Sequence, residues 1–137
     1  MLIMAPCYVY ADAANFIKAA TKGDVKTLKE ELKKGIDVNI KDSYGFTALH
    51  SASAYGQTEA VKILLRAKAD VTILTANGST ALWLASNQGR TEIVKLLIKA
   101  KADVNVKDRR GISALSAAQS NGHKDAAALL KAAGAKE

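Results

Sequence analysis

Acid–base, nucleophilic or metal chemistry in this 137-residue chain would have to come from His50, His123, Cys7 and the adjacent pair Glu30 and Glu31. Catalysis needs such groups as a constellation, with a base in reach of the proton it takes, and the spacing offers none. Glu30 and Glu31 are neighbours on a helical stretch and point in different directions, which makes a poor acid–base pair. Cys7 lies in an apolar segment with no basic group nearby in sequence, so an inert thiol is expected rather than a nucleophile. No Cys/His pair has metal-ligand spacing, and neither G-x-x-x-x-G-K-[ST] nor G-x-G-x-x-G occurs. The expectation is a protein that is not an enzyme and that uses no cofactor, metal or small-molecule substrate. The cations offer a different chemistry. Lys107, Arg109 and Arg110 cluster at one turn, with Lys41 and Lys22 expected beside them, and guanidinium groups there could fork onto carboxylates of a protein partner.

These residues sit in a sequence that aligns with itself at a shift of 33. Gly45, Gly78 and Gly111 keep that spacing, as do Leu49, Leu82 and Leu115. Units open at Asp42, Thr75 and Asp108, and a weaker copy at residues 9–41 places Phe16, Ala19, Gly23, Leu28, Leu32, Asp37 and Val38 at the expected offsets. A fixed period in this range signals a stack of identical supersecondary units. Within each unit a turn ending in Gly leads to Thr47, Thr80 or Ser113, whose hydroxyl can cap a short helix. That helix is rich in small residues (Ala48, Ala52 and Ala54, then Ala81 and Ala85), which suits a tight inner layer. Gly56, Gly89 and Gly122 end it. A longer helix follows, with Val61, Leu64 and Leu65, then Val94, Leu97 and Ile98, on one face and charge on the other.

Period and motif together resemble the ankyrin repeat. Its T-P-L-H-x-A signature is matched by Thr47-Ala48-Leu49-His50-Ser51-Ala52 and, less closely, by Thr80-Ala81-Leu82-Trp83-Leu84-Ala85. The A-D-V-N close at Ala102 to Asn105 agrees as well. Ala48, Ala81 and Ala114 replace the family's Pro, and Lys68 and Lys101 replace its Gly before A-D, which predicts a Lys in a strained turn at some cost in stability. The resemblance implies an all-α ankyrin-repeat solenoid of helix-turn-helix units with short β-turn or hairpin tips. It also implies that His50 and His123 hydrogen-bond neighbouring turns rather than act as bases.

Composition fits one array. With 49% hydrophobic residues the chain can bury a continuous core without disulfides, and Cys7 alone can form none internally. No apolar run is long enough to span a bilayer. The expected organisation is an N-terminal apolar segment at 1–11, then repeats at 12–41, 42–74, 75–107 and 108–137. Terminal units need wetter outer faces, and those carrying Lys26, Lys29, Glu30, Lys33 and Lys34, or Lys124, Asp125 and Lys131, read as caps. The net charge of +7 raises the question of an acidic partner. Lys62, Lys95 and Lys99 are read as a solvated outer face.

The resemblance places partner binding on the tips and on the exposed side of the first helices. Carried over by repeat position, the residues are Tyr44, Phe46, Tyr55, Leu74, Asn77, Trp83, Asn87, Gln88, Lys107, Arg109, Arg110, Ile112 and Asn121. Aromatic and Arg side chains among them are the expected anchors, and inter-repeat packing is the competing role for Trp83. The expected function is a noncatalytic, monomeric module that binds and masks or inhibits another protein, in an inhibitor, immunity or adaptor role. Weak nonspecific nucleic-acid binding through the basic surface is the alternative. Residues 1–11, MLIMAPCYVYA, resemble the end of a bacterial secretory signal without its charged start. That would give a periplasmic location and an envelope enzyme with an acidic or polar surface as partner; a cap over the first repeat, and a cytoplasmic protein, is the other reading.

Overall fold

The structure, a computed structural model, describes the backbone of residues 6–137 and the side chains of residues 12–137. Residues 1–5 and the Cys7 thiol, on which the leader and thiol readings bear, lie outside what is described. Among the described residues eight helices form four pairs: α1 (Pro6–Lys22) with α2 (Val25–Lys33), α3 (Ala48–Ala54) with α4 (Thr58–Arg66), α5 (Ala81–Asn87) with α6 (Thr91–Lys99), and α7 (Ala114–Ser120) with α8 (Lys124–Ala132). Residues 6–11 run into the first repeat as part of α1.

The odd-numbered helices pack in series, α1 on α3 on α5 on α7, and the even-numbered ones form a parallel outer row. The apolar period dictates this. Phe16, Leu49, Leu82 and Leu115 occupy one repeat position and are all fully or almost fully buried, and Leu64, Leu97 and Leu130 do the same on the outer row. These residues belong to one buried cluster that runs from the first repeat to the fourth, so the core is one continuous strip along the stack. Small residues hold the inner row close: Ala48, Ala52, Ala81, Ala85, Ala114 and Ala118 are buried. Ser53 and Ser86, also fully buried there, find no hydrogen-bond partner for their hydroxyls.

Local chemistry sets the boundaries. Thr47, Thr80 and Ser113 accept the backbone N–H of His50, Trp83 and Ser116 and so cap α3, α5 and α7. Gly56 and Gly89 end the inner helices at positive φ, and the next repeat leans on each, so that a Cβ at Gly89 would lie 2.5 Å from the His123 ring. Lys68 and Lys101 also take positive φ, 69° and 70°, which confirms the strained turn. Their repeat position is occupied by Gly35 and Gly134 at the two ends of the stack.

The tips are tight turns. Asp42, Thr75 and Asp108 donate their N–H to the carbonyls of Phe46, Ser79 and Ile112 across each turn. Successive tips are joined in turn: Ala76 N–H donates to the Tyr44 carbonyl at 3.3 Å, and Arg109 N–H to the Asn77 carbonyl at 3.0 Å. Among the described residues the only extended pairing is one antiparallel bridge between Lys107 and Ser113.

Candidate protein-interaction face

The tips and the N-terminal ends of the inner helices enclose a cleft of about 360 Å3 over the second, third and fourth repeats. Trp83 and Phe46 supply its aromatic surface, Leu84 its aliphatic surface, and Arg109 and Arg110 its cationic edge. Trp83 is only 7% exposed. Its indole N–H donates to the Ile112 carbonyl at 2.9 Å, so the ring also joins the third repeat to the fourth. Arg110 stands 5.9 Å from the centre of that ring, a cation–π arrangement.

Asp108 fixes Arg110. One carboxylate oxygen accepts from Arg110 Nε at 3.1 Å and Nη2 at 2.9 Å, while the other accepts the N–H groups of Arg110 and Ile112. Burial pushes this carboxyl up, but the Ile112 N–H and the Arg110 guanidinium and N–H outweigh it and hold the group below the usual carboxylate range. Asp42 has the same role at the second-repeat tip, accepting the N–H groups of Tyr44 and Phe46. Both tip carboxylates therefore face inward. Among the described residues no ion pair involves Lys41, Lys107 or Arg109, whereas Lys62 and Lys95 on the outer helices pair with Glu59 and Glu92.

His50 sits below Phe46, ring edge to ring face at 5.7 Å. Its Nδ1 accepts the Thr47 N–H, which leaves the proton on Nε2 for the Ile73 carbonyl at 2.9 Å. Burial is the main reason its pKa falls, with Lys41 adding slightly, against opposing pulls from the Ile73 bond and Asp42. Both ring nitrogens are thus engaged in joining turns, as the resemblance implied. His123 differs. It occupies the repeat position of Gln57 and Arg90, which reach back to the Thr21 and Ala54 carbonyls, yet its own shorter ring lies against Gly89 and makes no side-chain hydrogen bond among the described residues. Among these residues no three His, Cys, Asp or Glu side chains are grouped to hold a metal, and no helix is long and apolar enough to cross a membrane.

Of the residues singled out by position, Phe46, Asn77, Trp83, Arg109 and Arg110 meet at the cleft. Ile112 contributes through its carbonyl. Tyr44 (72% exposed) and Leu74 (48% exposed) stand on neighbouring tips, and Lys107 is exposed two residues before Arg109. Tyr55, Gln88 and Asn121 cap the C-terminal ends of α3, α5 and α7, roughly 10 Å along the helix axis from the cleft. Asn121 is used there in bonds to Asn87. Lys22 belongs to that far row too, in the last turn of α1, because helix length separates it from the tips; the expected grouping with Arg109 does not form. Leu84 is a cleft residue that repeat position does not single out. Its signal lies in the sequence all the same, for a large aliphatic side chain replaces Ser51 and Ala117 of the flanking repeats.

A stack of helix pairs with a row of tips along one edge defines a solenoid, an architecture that offers other molecules an extended surface. Family models described as ankyrin repeats match residues 67–136 (three copies) and residues 32–85 (many copies). The chain belongs to the ankyrin repeat family, whose repeats are generally protein–protein interaction modules. No curated protein matches it.

Proposed function

We propose that the chain is a noncatalytic binding module that masks or inhibits a partner protein by occupying some of its surface with the tips and inner helices. The observation that carries this reading is the exposure of two large aromatic side chains, Tyr44 on a tip (72%) and Tyr55 at the C-terminal end of α3 (61%). Large aromatic side chains in such places are anchors that gain energy by being covered. A module that acts by occupying a partner's surface serves as an inhibitor, an immunity factor or an adaptor.

The test is capture from the source organism on the immobilised chain, with mass spectrometry, followed by binding and activity measurements on the purified partner. Tyr44→Ala and Tyr55→Ala should each weaken binding by about tenfold or more, and Lys62→Ala and Lys95→Ala should leave it unchanged. Stronger effects from the lysines would put the interface on the outer helices. The net charge of +7 supports a second reading, weak nucleic-acid binding; it would be indifferent to sequence and lost steeply with salt.

A further inference from the structure

We infer that the cleft beside Trp83 receives an acidic segment of a protein partner, with a carboxylate on Arg109 and an adjoining apolar side chain against Trp83, Phe46 and Leu84. The inference rests on the protein-binding reading and specifies the chemistry of the partner.

Two adjacent arginines have unlike surroundings. The charge of Arg110 is answered by Asp108, and its guanidinium is fixed in two hydrogen bonds and over the indole. It forms a wall of the cleft. Arg109 engages only its backbone N–H, on Asn77, and its side chain passes over Gly78, where an added Cβ would come within 3.3 Å of it. Its guanidinium, at the rim, makes no ion pair among the described residues. Among the described residues Asp108 is the only carboxylate lining the cleft, and it is already paired with Arg110. A partner side chain entering here therefore meets the Arg109 cation, the apolar surface of Trp83, Phe46 and Leu84, and the uncharged polar groups of Thr75, Asn77 and Ser79.

The rest of the tip row has the same sign and the same mixture. Lys41, Leu74 and Lys107 share one repeat position and are all exposed, so an aliphatic residue lies between two cations. Packed helices lie 8–10 Å apart, which separates the two lysines by roughly 20 Å. An extended peptide covers that in about six residues, with acidic residues near its ends and an apolar one midway. Nucleic acid fits less well, because a strand needs a continuous cationic track with stacking rings. The third-repeat tip, Leu74, Ala76 and Asn77, interrupts any such track with uncharged residues.

Trp83 is the only tryptophan, so its emission reports on this cleft alone. The full chain is used to select from a random displayed library of peptides about twelve residues long, enough to span the tip row, at about 150 mM salt, where screening acts beyond about 8 Å. Selected peptides should be rich in Asp or Glu beside Leu, Phe or Tyr, should change Trp83 emission on titration, and should bind at least about tenfold more weakly to Arg109→Glu. Lys95→Glu, on the outer face, should bind as wild type, and Arg109→Glu should melt as wild type. Selected peptides poor in acidic residues, unaltered affinity for Arg109→Glu, or displacement of the peptides by a single-stranded DNA oligonucleotide at this salt would overturn the proposal. So would a library that yields no binder; capture of a whole protein partner by way of Tyr44 and Tyr55 would then still stand.

Discussion

The Trp83 indole N–H donates to the Ile112 carbonyl, 29 residues along the chain at 2.9 Å, and so ties the third repeat to the fourth, whereas His50 at the same repeat position donates to the Ile73 carbonyl in the closing loop of its own repeat. The longer side chain reaches past the inter-repeat loop to the next tip. Trp83→Phe keeps the ring in the core but removes the donor. Because the Ile112 carbonyl still accepts from Asp108 N–H, the expected loss is about 1 kcal/mol, visible as a lower urea midpoint. An unchanged midpoint would mean that the bond contributes nothing to the stack.

His50 makes stability depend on pH. Its folded pKa lies below the ordinary 6.5 because burial disfavours the imidazolium. Above the unfolded value the ring is neutral in both states, and its contribution is complete. As pH falls below about 6.5 the unfolded state binds a proton first, and stability drops until the folded pKa is reached. Urea titrations of wild type and His50→Gln should therefore converge as pH falls from 7 to 5; parallel curves would show that His50 is not the group involved.

Lys68 and Lys101 occupy left-handed backbone that glycine fills at residues 35 and 134. The left-handed conformation costs an L-residue about 1–2 kcal/mol, partly offset by the greater freedom of an unfolded glycine. Lys68→Gly and Lys101→Gly should each raise stability by about 0.5–1 kcal/mol in a thermal melt. A lower melting temperature would show that the lysine stems contribute packing that outweighs the strain.

Asn39 and Asn105 each accept an N–H from the following loop, Asp70 at 2.8 Å and Lys136 at 2.9 Å. Thr72 holds the same position in the repeat between them, and its hydroxyl turns to Asp70 instead. Threonine is one atom too short for the crossing. Thr72→Asn should supply the missing acceptor for Asp103 N–H and raise stability by about 0.5–1 kcal/mol. Slower hydrogen exchange at the Asp103 amide is the direct readout; an exchange rate equal to wild type would mean that the bond does not form.

The stack was legible in the order of residues alone: the 33-residue period, the paired helices, the Thr and Ser caps, the strained lysines and the buried leucine ladder. Each is a property of one segment, set by apolar spacing or by what a backbone position tolerates, and repetition makes it visible. The candidate face was legible only in outline. Position alone put Trp83, Arg109 and Arg110 in one class, and packing separated them into a buried joint, an unanswered cation and a wall held by Asp108. It also parted Lys22 and Tyr55 from the tips by the length of a helix, and left His123 against Gly89 where Gln57 and Arg90 hydrogen-bond. These outcomes turn on whether a side chain spans the distance to a residue about one repeat away, and that distance exists only once the repeats are packed.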